Sequence, residues 1–383
     1  MIIDILRMLF LGLSLSAIIY NLYAIYGAID FFREEFKQEQ EYSPPLTIIK
    51  PLCGLDWQIY ENLASFCEQD YTQYQIVFAL RSLDDPCCKI AQKIQQDFPD
   101  LDISLIVNER TIGNNLKVSN LANALTIAKY PILVIADSDI KVRSDYLKEI
   151  VKPLKDPQTA VVTCPYNSLV KGKVAIFEAL GIATVFNPKI MVARKLEGVS
   201  FGFGSTIAIK RAVLEEIGGF EAIADYLSDD FQLANQPYRR GYRVHLSRYI
   251  VEHVSADVKL ADLFARQLRW AKGVKSERFW GYVGLIFTQL TTNSLFFLLL
   301  SQFSLFSYLV FCLSWLIRLL MAYIVGAVLF KDSLAKKYLY LVPLRDMFDF
   351  FIWVLGFFGD TISWRDNKFK LVDKGKLLLI EEL

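Results

Sequence analysis

Pro131-Ile-Leu-Val-Ile-Ala-Asp-Ser-Asp139 decides the fold of this chain. Its apolar run from Ile132 to Ala136 is unbroken and stops at two carboxylates one residue apart. A short, continuous apolar run ending in a turn predicts a strand buried on both faces, as in the centre of an α/β sheet. In open sheets of that class, ligands collect beyond the carboxyl ends of the strands. Asp137 and Asp139 therefore stand where chemistry would be done. Two acids on one turn can jointly face an oxygen-loving divalent cation, Mg2+ or Mn2+, and share it with a diphosphate. The same residues would serve equally well as a cap (Asp137) and a solvated turn residue (Asp139).

Working outward, further strands are expected at Leu46–Ile49, Gln75–Leu80, Ile103–Val107, Ala160–Thr163, Thr206–Ile209 and Tyr249–Val254. Helical periodicity covers Cys87–Phe98 and Leu116–Ala128, and this alternation predicts a mostly parallel sheet. Asp84-Asp85 follows the second strand; Asp85 can cap the helix that Pro86 opens and also accept hydrogen bonds from a base or ribose. Lys117 opens a helix after Gly113-Asn-Asn115, in position to meet a phosphate. In Phe201-Gly202-Phe-Gly204-Ser205 the glycines permit close backbone approach to a donor or acceptor, or simply a tight turn. Leu227-Ser-Asp229-Asp230-Phe231 precedes a helix running to Arg240. Adjacent carboxylates disfavour joint ionisation, which lifts one pKa toward the range of a general base. An acid-rich helix start is the plainer alternative. His253 ends an apolar strand and is a candidate third metal ligand beside Asp137 and Asp139. In Arg266-Gln-Leu-Arg269-Trp270 the guanidinium forks suit phosphate and the indole suits stacking. An interfacial helix meeting lipid phosphates would look the same.

Composition narrows the classes. The 383 residues are 54% hydrophobic and 14% aromatic, more than a water-soluble enzyme usually carries. A net charge of +1 gives no global field to attract nucleic acid. Two histidines exclude a His-rich zinc site, and six cysteines without a CxxC pair read as reduced thiols in a cytosol-facing domain. Met8 to Ile29 is uncharged and long enough to cross a bilayer, without the basic start and cleavage site of a secretory signal. It reads as a retained anchor, followed by a charged linker from Arg33 to Glu41. Phe279 to Phe330, charged only at Arg318, suits two crossings joined by a short turn. Tyr338 to Phe358 carries Arg345, Asp346 and Asp349, so a re-entrant or interfacial helix is expected there. Lys331, Lys336 and Lys337, with the tail's Arg365 and its lysines, place both flanks on the cytoplasmic side. The expected segments are an anchor (1–31), a cytosolic catalytic domain (32–278), transmembrane and interfacial helices (279–359) and a cytosolic tail (360–383).

The ordered set from Asp85 through Asp137 and Asp230 to Arg266-Gln-Leu-Arg-Trp270 resembles the ceramide glucosyltransferase-type membrane glycosyltransferases, of the inverting GT-A class. Lys50-Pro-Leu-Cys-Gly-Leu-Asp56 and Asp70-Tyr-Thr-Gln-Tyr74 look like that family's opening segments, and Thr361-Ile-Ser-Trp-Arg365 like its C-terminal signature. Asp139 and Asn187-Pro188 stand where the animal enzymes look to have Gly and His-Pro, and with Val251-Glu-His253 they look more like a bacterial arm associated with hopanoid glycosylation. The resemblance implies a Rossmann-like mixed sheet, a UDP-sugar donor of glucose or N-acetylglucosamine, and a bilayer lipid acceptor, ceramide or hopanoid. It also implies Asp85 on the nucleotide, Asp137 on the metal–diphosphate and Asp230 as catalytic base. Arg266, Arg269 and Trp270 would serve the diphosphate and the acceptor pocket, and His253 the metal. A processive polysaccharide synthase would share these acids but needs more crossings to form a channel. An inactive, membrane-anchored nucleotide-binding scaffold is the rival from outside enzymology.

Overall fold

The computed structural model describes residues 1–33, 42–364 and 367–382. Most of the expected linker (34–41) and Arg365 lie outside the described residues.

The strands run β1 Leu46–Pro51, β2 Tyr74–Leu80, β3 Asp102–Val107, β4 Ile132–Ile135, β5 Ile140–Lys141, β6 Thr159–Thr163, β7 Tyr166–Lys171, β8 Ile207–Lys210, β9 Arg243–Leu246, β10 Val251–Ala256, β11 Thr361–Trp364, β12 Asn367–Val372 and β13 Lys376–Glu382. Seven of them form one sheet in the order β3-β2-β1-β4-β8-β6-β9. The half from β3 to β4 is parallel, as the apolar runs predict. The expectation of a mostly parallel sheet holds: β6 and β9 run with the β3-to-β4 half, and β8 alone of these seven strands is reversed, pairing antiparallel to both β4 and β6. The sheet is therefore mixed, and β8 brings the Gly202–Gly204 loop back to the carboxyl edge of β4.

Alternation splits the core into two layers. Leu46 and Ile48 of β1 pack on one side with Leu63, Phe66, Ala91 and Tyr146. Ile49 packs on the other with Leu121, Leu214, Phe220 and Leu233. Helices thus cover both faces, and the all-apolar reading of β4 follows from that double burial. Past its carboxyl end the chain turns into β5, which joins β10 and β7 in a small second sheet. The short β5 and β7 carry polar residues and left no apolar signal in the sequence.

Among the described residues three helices are long and apolar enough to cross a membrane: Ile2–Arg33, Lys173–Glu197 and Leu305–Leu329. The first and last match the sequence reading. The expected other crossing is a bent pair instead, Phe279–Thr288 and Leu290–Leu300, meeting at 60°. Lys173–Glu197 was not foreseen as a long apolar helix, because Asn187-Pro188 interrupts it. A π-helical stretch over Ile182–Phe186 carries the chain smoothly into Pro188, which has no amide hydrogen to give. The last expected interfacial segment is the helix Val342–Gly356, whose 15 residues rise ~22 Å, short of the ~30 Å apolar core of a bilayer.

The tail is a three-stranded antiparallel sheet, β11-β12-β13, around Ile362, Phe369, Leu371 and Leu377. Leu227, two residues ahead of the acid pair, packs on that cluster. Leu377 N donates to Asp225 O (2.7 Å) and Leu227 N to Gly375 O (3.0 Å). The tail thereby fixes the loop that carries Asp229 and Asp230.

Candidate active site

The site assembles at the carboxyl edge of β4. Asp137 N donates to Gly204 O (3.0 Å), and Gly204 N donates to Asp230 Oδ2 (2.8 Å). One glycine thus joins the turn after β4 to the N-terminus of the helix Asp229–Arg239. A Cβ at Gly204 would stand 2.4 Å from Asp137 Oδ2, so the position has room for hydrogen only. Gly202 is similarly confined, by Ile207 and by the Asp230 carbonyl.

Lys117 closes the set. Its Nζ lies 2.7 Å from Asp137 Oδ1 and 3.0 Å from Asp229 Oδ2. The helix Leu116–Leu125 aims it there because Asn115 caps that helix, its Oδ1 accepting from Lys117 N and Val118 N. Asn115 Nδ2 in turn donates to Tyr226 O (2.9 Å), tying the cap to the acidic loop. Burial alone would weaken the Lys117 charge, but Asp137, Asp229 and Asp230 hold it firmly protonated. Asp230 is pushed up to about 6, first by burial and then by Asp229, against the pull of Lys117. That is the raised pKa expected of one member of the pair. Burial also raises Asp137, more than Lys117 lowers it.

Asp139 faces a different partner. His253 Nε2 on β10 lies 3.2 Å from Asp139 Oδ2, where β10 pairs with β5. Burial pushes Asp139 up, but His253, Lys50 and Lys117 outweigh it and leave the carboxyl below its ordinary value. The other ring nitrogen, Nδ1, is buried without a partner. Among the described residues no three His, Cys, Asp or Glu side chains already form a ready cation site. Asp139 and His253 are nevertheless adjacent, and their oxygen and nitrogen donors match a hard divalent ion whose remaining positions a diphosphate would fill. The residues fit such an ion as a partial shell.

Three expected residues have local partners. Asp85 accepts from Gly54 N through both oxygens (3.1 and 3.0 Å) and from Cys87 N (2.9 Å), so it clamps two loops at the sheet edge. Arg266 makes a two-point pair with Glu178, its Nε 2.9 Å from Oε1. Arg269 stacks over Trp364 of the tail at 5.5 Å, while Trp270 is exposed. Arg266 and Glu178 both bear on the charge of His253, so the arginine helix borders the site.

Sequence reasoning missed several residues. Lys50, inside β1, donates to Asp137 O (2.6 Å) from beneath the acidic turn, and burial pushes its ammonium down to about 7. A lysine inside an apolar strand was the signal. Ser138 donates to Asp56 Oδ2 (2.5 Å), and Asn114 donates twice to Asp225 Oδ1 (2.9 Å each). Phe203 meets Tyr166 and Phe186 edge to face, and Tyr166 lies against both Phe186 of the Lys173–Glu197 helix and the His253 ring. No local pattern could have announced an aromatic cluster drawn from three elements.

With that geometry in hand, comparison with known proteins is decisive for the family. The model of glycosyl transferase family 21 matches residues 9–377. The chain belongs to that family. Ceramide glucosyltransferase 3 of Caenorhabditis elegans is 27% identical over 66% of this chain and 56% of its own length. The ceramide glucosyltransferase of Komagataella phaffii is 30% identical over 37% of this chain and 31% of its own. This family 21 chain spans about half the length of the first of these relatives. A mannosyltransferase from Pyrobaculum calidifontis, solved with GDP-mannose and Mn2+, is 20% identical with a TM-score of 0.58, covering 92% of this chain and 99% of its own. That likeness establishes the GT-A fold expected for a family 21 protein.

Proposed function

We propose that this chain transfers a hexose, glucose or N-acetylglucosamine, from a UDP-sugar to a hydroxyl of a membrane lipid, inverting the anomeric carbon. The observation that carries the reading is the convergence of Asp137, Asp229 and Asp230 around Lys117 and Gly204. Asp230 takes the proton of the acceptor hydroxyl as its oxygen bonds to the anomeric carbon; the bond to UDP breaks and its electron pair leaves on the diphosphate. Lys117 is the cation nearest to this carboxylate set and steadies the leaving charge. Asp137, Asp139 and His253 would hold a divalent cation, which supplies further neutralisation of the departing diphosphate. Asp85 would serve the nucleotide, and Arg266, Arg269 and Trp270 the diphosphate and acceptor side. The names of the curated relatives support a ceramide-like acceptor; the sequence likeness to the hopanoid-associated arm keeps a polycyclic alcohol as the alternative. Residues 32–278 would form the catalytic domain on the cytoplasmic side, with the apolar helices in the bilayer and the donor in the cytosol.

A pH profile tests the base. Asp230 is a carboxylate above about 6 and neutral below, so kcat/KM should be level above that pH and fall about tenfold per unit below it. Protonation of His253 would also depress activity on the acid side, so Asp230→Glu is measured in parallel. A shift of the acid limb in that variant assigns the limb to residue 230, and an unmoved limb contradicts the assignment.

A further inference from the structure

The broken apolar helix pair, the N-terminal helix and the Lys173–Glu197 helix line a polar cleft of about 30 Å³ that is partly open to the outside. Tyr20, Asn21, Lys189, Arg318, Asp346 and Asp349 line it. Charged groups among apolar helices are costly unless paired, and they mark function when they persist. Both carboxylates here are already taken. Asp346 accepts two bonds from Arg318 (3.0 and 2.7 Å) and one from Thr291. Asp349 accepts two from Arg345 (3.2 and 2.7 Å). Lys189 lies in the field of these four groups. Three cations therefore stand against two carboxylates, and the ammonium of Lys189 has no carboxylate of its own.

Unmet hydrogen-bonding capacity points the same way. Arg318 is 5% exposed and its Nη1 has no partner; the Tyr20 hydroxyl, also buried, has none. Unpaired donors and one surplus positive charge in a cleft among apolar helices are the complement of an oxyanion. We propose that the cleft is a binding site for the phosphate of a bilayer phospholipid, separate from the sugar-transfer site. Arg318 Nη1, Lys189 and the Tyr20 hydroxyl would donate to the phosphate oxygens. The site is wired to the catalytic domain: Arg345 donates to Gln267 (3.1 Å), and Gln267 to Glu178 (3.3 Å), the partner of Arg266.

The inference rests on the apolar helices lying in a bilayer, and extraction of the full chain from membranes by detergent alone checks that separately. The test is native mass spectrometry of full-length protein released from nanodiscs of phosphatidylcholine with a minor share of phosphatidylglycerol, without any sugar nucleotide. Wild type should retain one phospholipid per chain, and Lys189→Met, which leaves both ion pairs intact, should lose at least tenfold in occupancy. Tyr20→Phe should lose severalfold while keeping the fold. Equal retention in all three proteins overturns the proposal. So does displacement of the bound lipid by millimolar inorganic phosphate, which would assign the cleft to a soluble anion.

Discussion

Asp230→Asn should abolish sugar transfer and leave UDP affinity within about twofold. The two carboxylate oxygens accept from Gly204 N (2.8 Å) and Phe231 N (2.8 Å) separately, so the amide keeps one of these bonds through its single oxygen and gives up the other, a modest cost at a half-buried helix start. It cannot take a proton. Loss of a positioned general base costs about 10²- to 10⁴-fold in kcat, and the lower end would require water to substitute in a half-buried site. Steady-state transfer together with calorimetric UDP binding separates chemistry from folding. Turnover within a few-fold of wild type removes Asp230 from the mechanism.

Lys117→Met should have the largest effect on stability. The ammonium is 16% exposed and bridges Asp137 to the 8%-exposed Asp229. Removing it leaves three carboxylates facing one another, and breaking a buried pair costs about 3–5 kcal/mol; the partial exposure of Asp137 favours the lower figure. The sign of the pH dependence is fixed. Without the cation, repulsion lifts the folded-state carboxyl pKa values above their unfolded values, so the protonated form is the one stabilised. The variant should regain stability more steeply than wild type as pH falls through those values, because in wild type only part of that rise, at Asp137 and Asp230, is present against the pull of Lys117. Adding Asp229→Asn to Lys117→Met should restore part of the loss at neutral pH. Denaturation midpoints at two pH values measure this, and a deficit that is the same at both contradicts the shared-cation arrangement.

How much of this was legible beforehand depends on whether the signal was local. The apolar runs at β1, β2 and β4 are buried on both faces, and such strands announce themselves in sequence; β3, at the sheet edge, is half-buried but keeps an apolar run. The polar β7 and the two-residue β5 do not, yet β5 places Asp139 against His253. The antiparallel β8 carries the same apolar pattern as a parallel strand would, so its direction was invisible. Asp137, Asp229, Asp230, Gly204 and Lys117 were all nominated from sequence, and the fold brings them together. Asp85 was nominated for a ligand, and its oxygens are occupied by Gly54 and Cys87. Arg266 was nominated for phosphate, and its fork is held by Glu178. Asp85 caps the helix at Cys87 as its position before Pro86 implied, whereas its clamp on Gly54 and the Glu178 partner of Arg266 come from elements distant in sequence and left no local signal. The tail was read as a cytosolic segment (360–383) without strands, since the lysine-punctuated β12 and the short apolar run of β13 give little hint of a sheet built against Leu227.

The central claim is that these acids form one working nucleotide-sugar site beside a lipid phase. Mass spectrometry of lipids produced by the purified full-length protein in bilayers, given UDP-glucose or UDP-N-acetylglucosamine with ceramide or a hopanoid alcohol, tests it directly. The account predicts acceptor lipid heavier by a single hexose unit with one of these donors, and none with Asp230→Asn. A polymeric product, or lipid unchanged under every donor and acceptor combination while UDP still binds, would contradict it.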